Sequence, residues 1–263
     1  WRDWSSDVCS SDLYQYSDVN VIAIHHALMQ SGIEPQPIDI VVTLPLGEYL
    51  DENDQPDMAN IERKKANVKR AVAVQGRESF TVRKVTVLPE SVPAGFSVLK
   101  DLDDLDSLLI VDIGGTTLDI AHVRSKMSGF TKTHCDPKTG VSIITEAVKH
   151  ALDASVSTRT SSYFADRLIQ ARNDETFLSR YLQNADQRAL VMKVLHEREK
   201  ALTHRVIDSV GRFAGFTHVM VVGGGASLVA DAVKKATGVG DDRFFVSDNP
   251  QFDLVLGMVA MKG

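Results

Sequence analysis

Three short stretches of this chain gather residue types that handle phosphate. In VDIGGTTLDIAHV, Asp112 comes just before Gly114, Gly115, Thr116 and Thr117. Glycines let backbone N–H groups approach an anion closely, threonine hydroxyls add donors, and a carboxylate at a strand end can hold Mg²⁺ through water. In VMVVGGGASLVADAVKK, Gly223, Gly224 and Gly225 separate an apolar run from a segment with apolar residues at Leu228, Val229, Ala232 and Val233. A helix starting there points unpaired N–H groups and the positive end of its dipole at a ligand. In VLPESVPAGF, Glu90 follows an apolar run, where a carboxylate can orient a water for in-line attack on a terminal phosphate. Each stretch also has a plainer explanation: a tight turn, close strand-to-helix packing, and a first-turn glutamate favoured by the helix dipole. Two glycine sites in one chain favour a shared nucleotide, gripped by the two loops from opposite walls of a groove.

The elements that must carry these residues follow from periodicity. Leu108 to Ile113 is a continuous apolar run, and Leu118, Ile120 and Val123 follow the glycines, so the segment reads as two strands joined by a hairpin. That reading removes the dinucleotide-binding and P-loop motifs, which both need a helix to begin at the glycines. Upstream, residues 17 to 32 form an amphipathic helix capped by Ser17, and residues 38 to 46 a buried strand of a parallel sheet. Residues 60 to 70 read as a basic helix with a solvated face. Strand signals follow at 78 to 85 and 85 to 89, then a helix entered through PESVPAGFSVLK. The acidic cluster from Asp101 to Asp106 reads as a linker, which sets a domain junction near 105. Helices are expected at about 140 to 153 and 186 to 213, with a strand at 219 to 222 ahead of the triple glycine.

Composition narrows the function classes. The chain has 263 residues, 43% hydrophobic and 24% charged, with a formal charge of -6. An acidic balance argues against a broad direct contact with nucleic acid, and no run reaches the length of a membrane helix. Two cysteines, Cys9 and Cys135, do not make a disulfide framework and fit a reducing cytoplasm. The neighbours His25 and His26 point in different directions on a helix, and no other ligands complete a metal site around them. Residues 1 to 13, WRDWSSDVCSSDL, lack periodicity and resemble a translated sequencing adapter, so they read as a non-native extension.

The strings VDIGGTTLDIAHV and VMVVGGGA resemble the second phosphate loop and the adenosine motif of the superfamily of actin, sugar kinases and heat-shock chaperone ATPases. Within it, QYSDVNVIAIHHAL, NIERKKAN, LPESVPAG and THVMVVGGGA are similar to the ParM, or StbA, family of actin-like ATPases of plasmid segregation, over residues 14 to 263. The resemblance implies an α/β, actin-like (ribonuclease H-like) fold of two domains, with mixed sheets flanked by helices. The expected division is 14–105 plus 248–263 for the first domain and 106–247 for the second. It further implies ATP and Mg²⁺ in the cleft between the domains and ATP-driven assembly of a dynamically unstable, double-stranded filament. A ParR-type adaptor at a centromere-like DNA site would be its partner, in the cytoplasm.

By the same resemblance Glu90 is the catalytic glutamate, Asp112 the magnesium-associated aspartate, Gly114 to Thr117 the phosphate hairpin, and Gly223 to Gly225 the nucleoside side. Glu197 and Lys200 in HEREKALTHRV are similar to the adenine-side helix of the chaperone relatives, and a helical ion-pair surface accounts for them as well. The family opens with a strand, a first phosphate loop of the DxGS type and a second strand, for which nothing before Tyr14 is a counterpart. The expectation is an N-terminally truncated chain with an incomplete first domain that binds ATP weakly and hydrolyses it poorly. A small-molecule kinase of the same superfamily and a non-catalytic cytoskeletal scaffold are the competing functions.

Overall fold

A computed structural model of the chain describes residues 14–73, 76, 78–154 and 159–262. The expected extension at 1 to 13, with Cys9, lies outside the described residues. The chain groups into two compact units. The first holds residues up to Ile110, Asp119–Cys135 and Phe252–Gly263, and the second holds Val111–Leu118 and Asp136–Gln251.

In the first unit, a 3-10 turn leads into α1 (Asp18–Gln30), where the Ser17 hydroxyl accepts the Asn20 N–H and so caps the helix. Strand β1 (Pro37–Leu44) pairs in parallel with β2 (Thr81–Pro89), from Pro37 opposite Thr81 to Leu44 opposite Pro89, with a bulge between Ile38 and Asp39. Between them lie the short α2 (Leu46–Tyr49) and α3 (Met58–Val68), the latter capped by Asp57. Leu44, Ile61, Val68, Val85 and Val87 form the buried cluster that fixes α3 on the two strands. After β2 comes a 3-10 turn at Val92–Gly95, then the single-turn α4 (Phe96–Leu99).

The expected hairpin is present as β3 (Ser107–Ile113) and β4 (Leu118–Arg124), both buried along nearly their whole length. They belong to a five-stranded sheet in the order β5-β4-β3-β6-β7, completed by β5 (Phe130–Asp136), β6 (His218–Val222) and β7 (Phe244–Phe245). In the second unit α5 (Ser142–Asp153), α6 (Ser162–Gln170) and α7 (Glu175–Tyr181) precede the long α8 (Ala185–Val210). There α5 and α9 (Ala226–Thr237) pack on α8 through buried residues such as Ile144, Val148, Leu195, Leu202, Val229 and Val233. The C-terminal α10 (Asp253–Ala260) returns to the first unit against the 92–95 turn. No helix among the described residues is long and apolar enough to cross a membrane.

Three sequence expectations change. The two strand signals at 78 to 85 and 85 to 89 are one strand, β2, because no turn residue interrupts Arg83 to Leu88. The helix expected after Pro89 is split between the 3-10 turn at Val92–Gly95 and the single-turn α4, since Pro93 and Gly95 do not support regular α-helix in the first part. The basic helix keeps its solvated face at Glu62, Arg63, Ala66 and Lys69, but one of its lysines is not on it: Lys64 is 2% exposed and Asn67 is buried beside it. Lys64 and Val68 stand one turn apart on the inward face of α3, so the burial of Val68 takes the lysine with it.

Two buried histidines give this fold an acid sensitivity. His25 on α1 is 2% exposed and its Nε2 has no partner among the described residues, so desolvation lowers its pKa. His122 on β4 is shifted the same way by burial and then by the Arg124 charge, and its Nε2 lies 2.9 Å from Ser107 Oγ. For both, the folded pKa is depressed, so their contribution is complete above the unfolded value of about 6.5 and is lost as pH falls through the folded value. Denaturant unfolding at pH 5 is therefore expected to give lower stability than at pH 7.5, and His25→Leu should shrink that difference. An equal difference in the variant would remove His25 from the account.

Candidate functional site

The second unit brings both glycine stretches together. Gly114 N–H donates to Thr117 O at 2.9 Å and closes the hairpin between β3 and β4. The loop is held from outside by the start of α5: Val141 N–H donates to Gly114 O at 3.1 Å and Ser142 N–H to Gly115 O at 2.7 Å. The first amides of that helix are thereby spent on the loop's carbonyls. Gly140 makes this approach feasible, because a Cβ there would stand 2.5 Å from Gly115 O and 2.6 Å from Thr116 Cα. Sequence reasoning placed Gly140 at a helix start and missed this role; a glycine immediately before a helix was the available signal.

The triple glycine is fastened to the other side of β3. Gly225 N–H donates to Ile113 O at 2.9 Å, and Gly223 N–H donates to Pro250 O at 3.0 Å. Gly223 has φ +88, and a Cβ on it would collide with Asp112 Oδ1 and Ile113 O. The two loops therefore sit side by side at the ends of the neighbouring strands β3 and β6. Their order in the sheet explains this: β3 and β6 are adjacent.

What remains open in this arrangement is a set of donors. The backbone N–H groups of Gly115, Thr116 and Gly224 meet no protein acceptor among the described residues, and Gly115 and Gly224 are exposed. Half-buried Asp112 lies against Gly223 in the same place, and Thr116 and Thr117 are half-buried with their hydroxyls in the loop. Neighbouring loop amides without acceptors are suited to the oxygens of a phosphate. Among the described residues no group of three or more His, Cys, Asp or Glu side chains could cage a metal. One carboxylate beside open amides instead fits Mg²⁺, which keeps most of its waters and takes further ligands from substrate phosphates.

Glu197 and Lys200 lie on α8, in the same unit as the two glycine loops. Both are exposed on α8 and make no ion pair or side-chain hydrogen bond among the described residues. The neighbouring α8 residue Glu199 is paired with Arg172 at 3.3 Å, and Arg172 in turn reaches Ser227 O on the first turn of α9 at 3.5 Å. Glu90 lies in the first unit, half-buried, just past β2, with its N–H donating to Leu44 O at 2.7 Å. Ser91 has φ +70 and ψ -41, and Val92 N–H donates to Glu90 O at 2.8 Å, so the carboxylate stands on a tight three-residue turn at the strand end.

Solved structures share this architecture, and their identities are low enough that they speak to fold alone. A non-polymerisable quadruple mutant of pCBH ParM matches at 18% identity and a TM-score of 0.69, over 99% of this chain and 80% of that one. The archaeal actin homolog Ta0583 in complex with ADP matches at 17% and 0.69, over 94% and 79%. A 15-stranded ParM filament from Clostridium botulinum matches at 17% and 0.63, over 95% and 75%. The fold is that of the actin-like proteins. Family models for the plasmid segregation protein ParM match as well, the N-terminal one over residues 3–101 and the C-terminal one over residues 102–261. The chain thus belongs to the ParM family of plasmid segregation proteins. No curated protein sequence matches it.

Proposed function

We propose that this chain is an ATP-binding, filament-forming protein of plasmid partition, whose phosphates are received by the two adjoining loops of the second unit. The observation that carries the reading is the set of unpartnered amides at Gly115, Thr116 and Gly224 beside Asp112. Gly114 to Thr117 take the phosphates, and Gly223 to Gly225 lie toward the nucleoside. Asp112 would hold Mg²⁺ through water, and the ion when bound would neutralise phosphate charge and orient the terminal group. Glu90 orients the attacking water and accepts its proton as the bond to phosphorus forms. Assembly with ATP, instability after hydrolysis, a ParR-type adaptor on DNA and a cytoplasmic setting complete the proposal, supported by membership of the ParM family.

Light scattering with and without ATP, together with phosphate release, tests this reading. Scattering is expected to rise with ATP and to do so more steeply as protein concentration rises. Glu90→Gln should lower turnover by about 10² or more, the range for loss of a positioned base, while its polymers persist longer than those of the parent. Turnover in Glu90→Gln equal to that of the parent, or scattering indifferent to ATP, would remove the proposal.

A further inference from the structure

The second unit also holds a cavity that the two glycine loops do not line. It measures about 550 Å³, and its walls come from the end of α5, the segment that enters α6, the end of α7 and the start of α8. That volume is in the range of small-molecule sites, about 300–1,000 Å³. Part of the lining is apolar and buried: Leu152 and Leu182 are each only 2% exposed. Phe164 and Tyr181 line it too, edge to face with ring centroids 5.8 Å apart. Tyr181 is exposed despite these apolar neighbours, so a flat apolar guest would cover a ring that the fold leaves open.

The polar part of the lining favours an anion, and helix capping is the reason. Ser161 and Asn184 are the caps of α6 and α8: Ser161 Oγ accepts the Phe164 N–H at 3.2 Å, and Asn184 Oδ1 accepts the Gln187 N–H at 3.0 Å. Capping engages these oxygens, which leaves the Ser161 O–H and the Asn184 NH₂ to donate. The carboxylate that ends α5 is engaged as well, because Asp153 Oδ1 accepts the Thr160 N–H at 2.6 Å. Arg159 is the single charged residue among the described lining residues, and no hydrogen bond or ion pair holds its guanidinium. One positive charge balances a monoanion, and the planar guanidinium fork matches a carboxylate.

We propose that this cavity is a second small-molecule site, for an aromatic carboxylate. The ring of the ligand packs against Leu152, Leu182, Phe164 and Tyr181, and Arg159 receives its carboxylate, with Ser161 and Asn184 as further donors. None of the lining residues belongs to Gly114–Thr117 or Gly223–Gly225, so the site is distinct from the loops assigned to phosphate and stands whether or not the chain binds ATP.

Naphthoate is the probe that tests this, with naphthamide as the control that keeps the rings and lacks the charge. Each is titrated into the isotope-labelled full chain, and NMR follows the side-chain amides of Gln183, Asn184 and Gln187, which line the cavity. Naphthoate should shift these signals saturably, and naphthamide should bind about tenfold more weakly, the low end for a hydrogen bond to a charged group because Arg159 is exposed. This comparison uses the parent chain alone. Arg159→Gln, at an exposed position that no described contact engages, should keep the fold, weaken naphthoate about tenfold and leave naphthamide unchanged. Cyclohexanecarboxylate, which keeps the charge without the aromatic rings, should bind more weakly than naphthoate, and saturating ATP should displace neither. Three results would each overturn the proposal: no saturable shift with millimolar naphthoate, equal affinity for naphthoate and naphthamide, or unchanged naphthoate affinity in Arg159→Gln. Displacement of naphthoate by ATP would overturn it too, since the probe would then occupy the nucleotide loops.

Discussion

Gly223→Ala is expected to abolish nucleotide binding and to destabilise the second unit, while Gly224→Ala, one residue away, leaves stability almost unchanged. At Gly223 two penalties coincide. The backbone has φ +88, a left-handed conformation that costs an L-residue about 1–2 kcal/mol. The new methyl group would also collide with Asp112 Oδ1 and stand 2.5 Å from Ile113 O. Backbone cannot yield as a long side chain can, so the strain belongs with overpacking, at about 1–3 kcal/mol more. Relief requires β3 and the β6 turn to separate, which moves Asp112 and the amides of both loops. At Gly224 nothing lies within 4 Å of the added methyl and φ is ordinary, so a change within about 0.5 kcal/mol is expected. Denaturant unfolding and equilibrium binding of a fluorescent ATP analogue separate the two variants. Equal stability of Gly223→Ala and the parent would show that the two strand ends are not fastened in this way. Weakened binding in Gly224→Ala at parental stability is compatible with the site, since its amide faces the ligand.

How far sequence could reach is clearest at particular residues. The hairpin was readable because Leu108–Ile113 is apolar throughout and no helical period follows the glycines, and the structure places both strands where that pattern says. The capped start of α1 was readable at Ser17, since caps are local chemistry, whereas α3 begins at Met58 behind its Asp57 cap, ahead of the expected start at residue 60. Elements without a local signature were missed. Strand β5, FTKTHCD, alternates polar with polar and owes its place to pairing at the edge of the sheet. Helices α6 and α7 follow a polar connection and are short, and α10 is apolar on most faces with Gly257 in its middle. Site residues were legible by type and by family likeness, but their mutual placement was not. That the two glycine loops lie on adjacent strands depends on sheet order, a long-range property that no window of sequence contains. Lys64 is the converse case: its charge argued for solvent, and only the packing of Ile61 and Val68 around it takes it inside.

Gly257→Ala should be the most damaging single-methyl change in the first unit, against the usual sign for its setting. Gly257 is in the interior of α10, where exchange for alanine ordinarily stabilises by about 1 kcal/mol. Here the helix lies directly on the 92–95 turn. An added Cβ would collide with Pro93 O and Pro93 C, and would stand 3.0 Å from Ala94 N. Pro93, Ala94 and Gly95 are themselves buried, and a Cβ at Gly95 would already press on Ile110 and Leu108 of β3 at 2.7 and 2.8 Å, so the turn has no room to retreat. The helix must lift instead, exposing Gly257 and Asp253, which are buried at this contact. Loss of that packing outweighs the propensity gain, and a net cost of about 2 kcal/mol or more is expected. The effect should also reach Glu90 and Ser91, which lead straight into the turn that is pushed. Two readouts decide it: unfolding in denaturant, and proteolysis under native conditions, which should cut α10 first in the variant. A variant as stable as the parent, with α10 equally protected, would mean that this helix does not brace the strand end that carries Glu90.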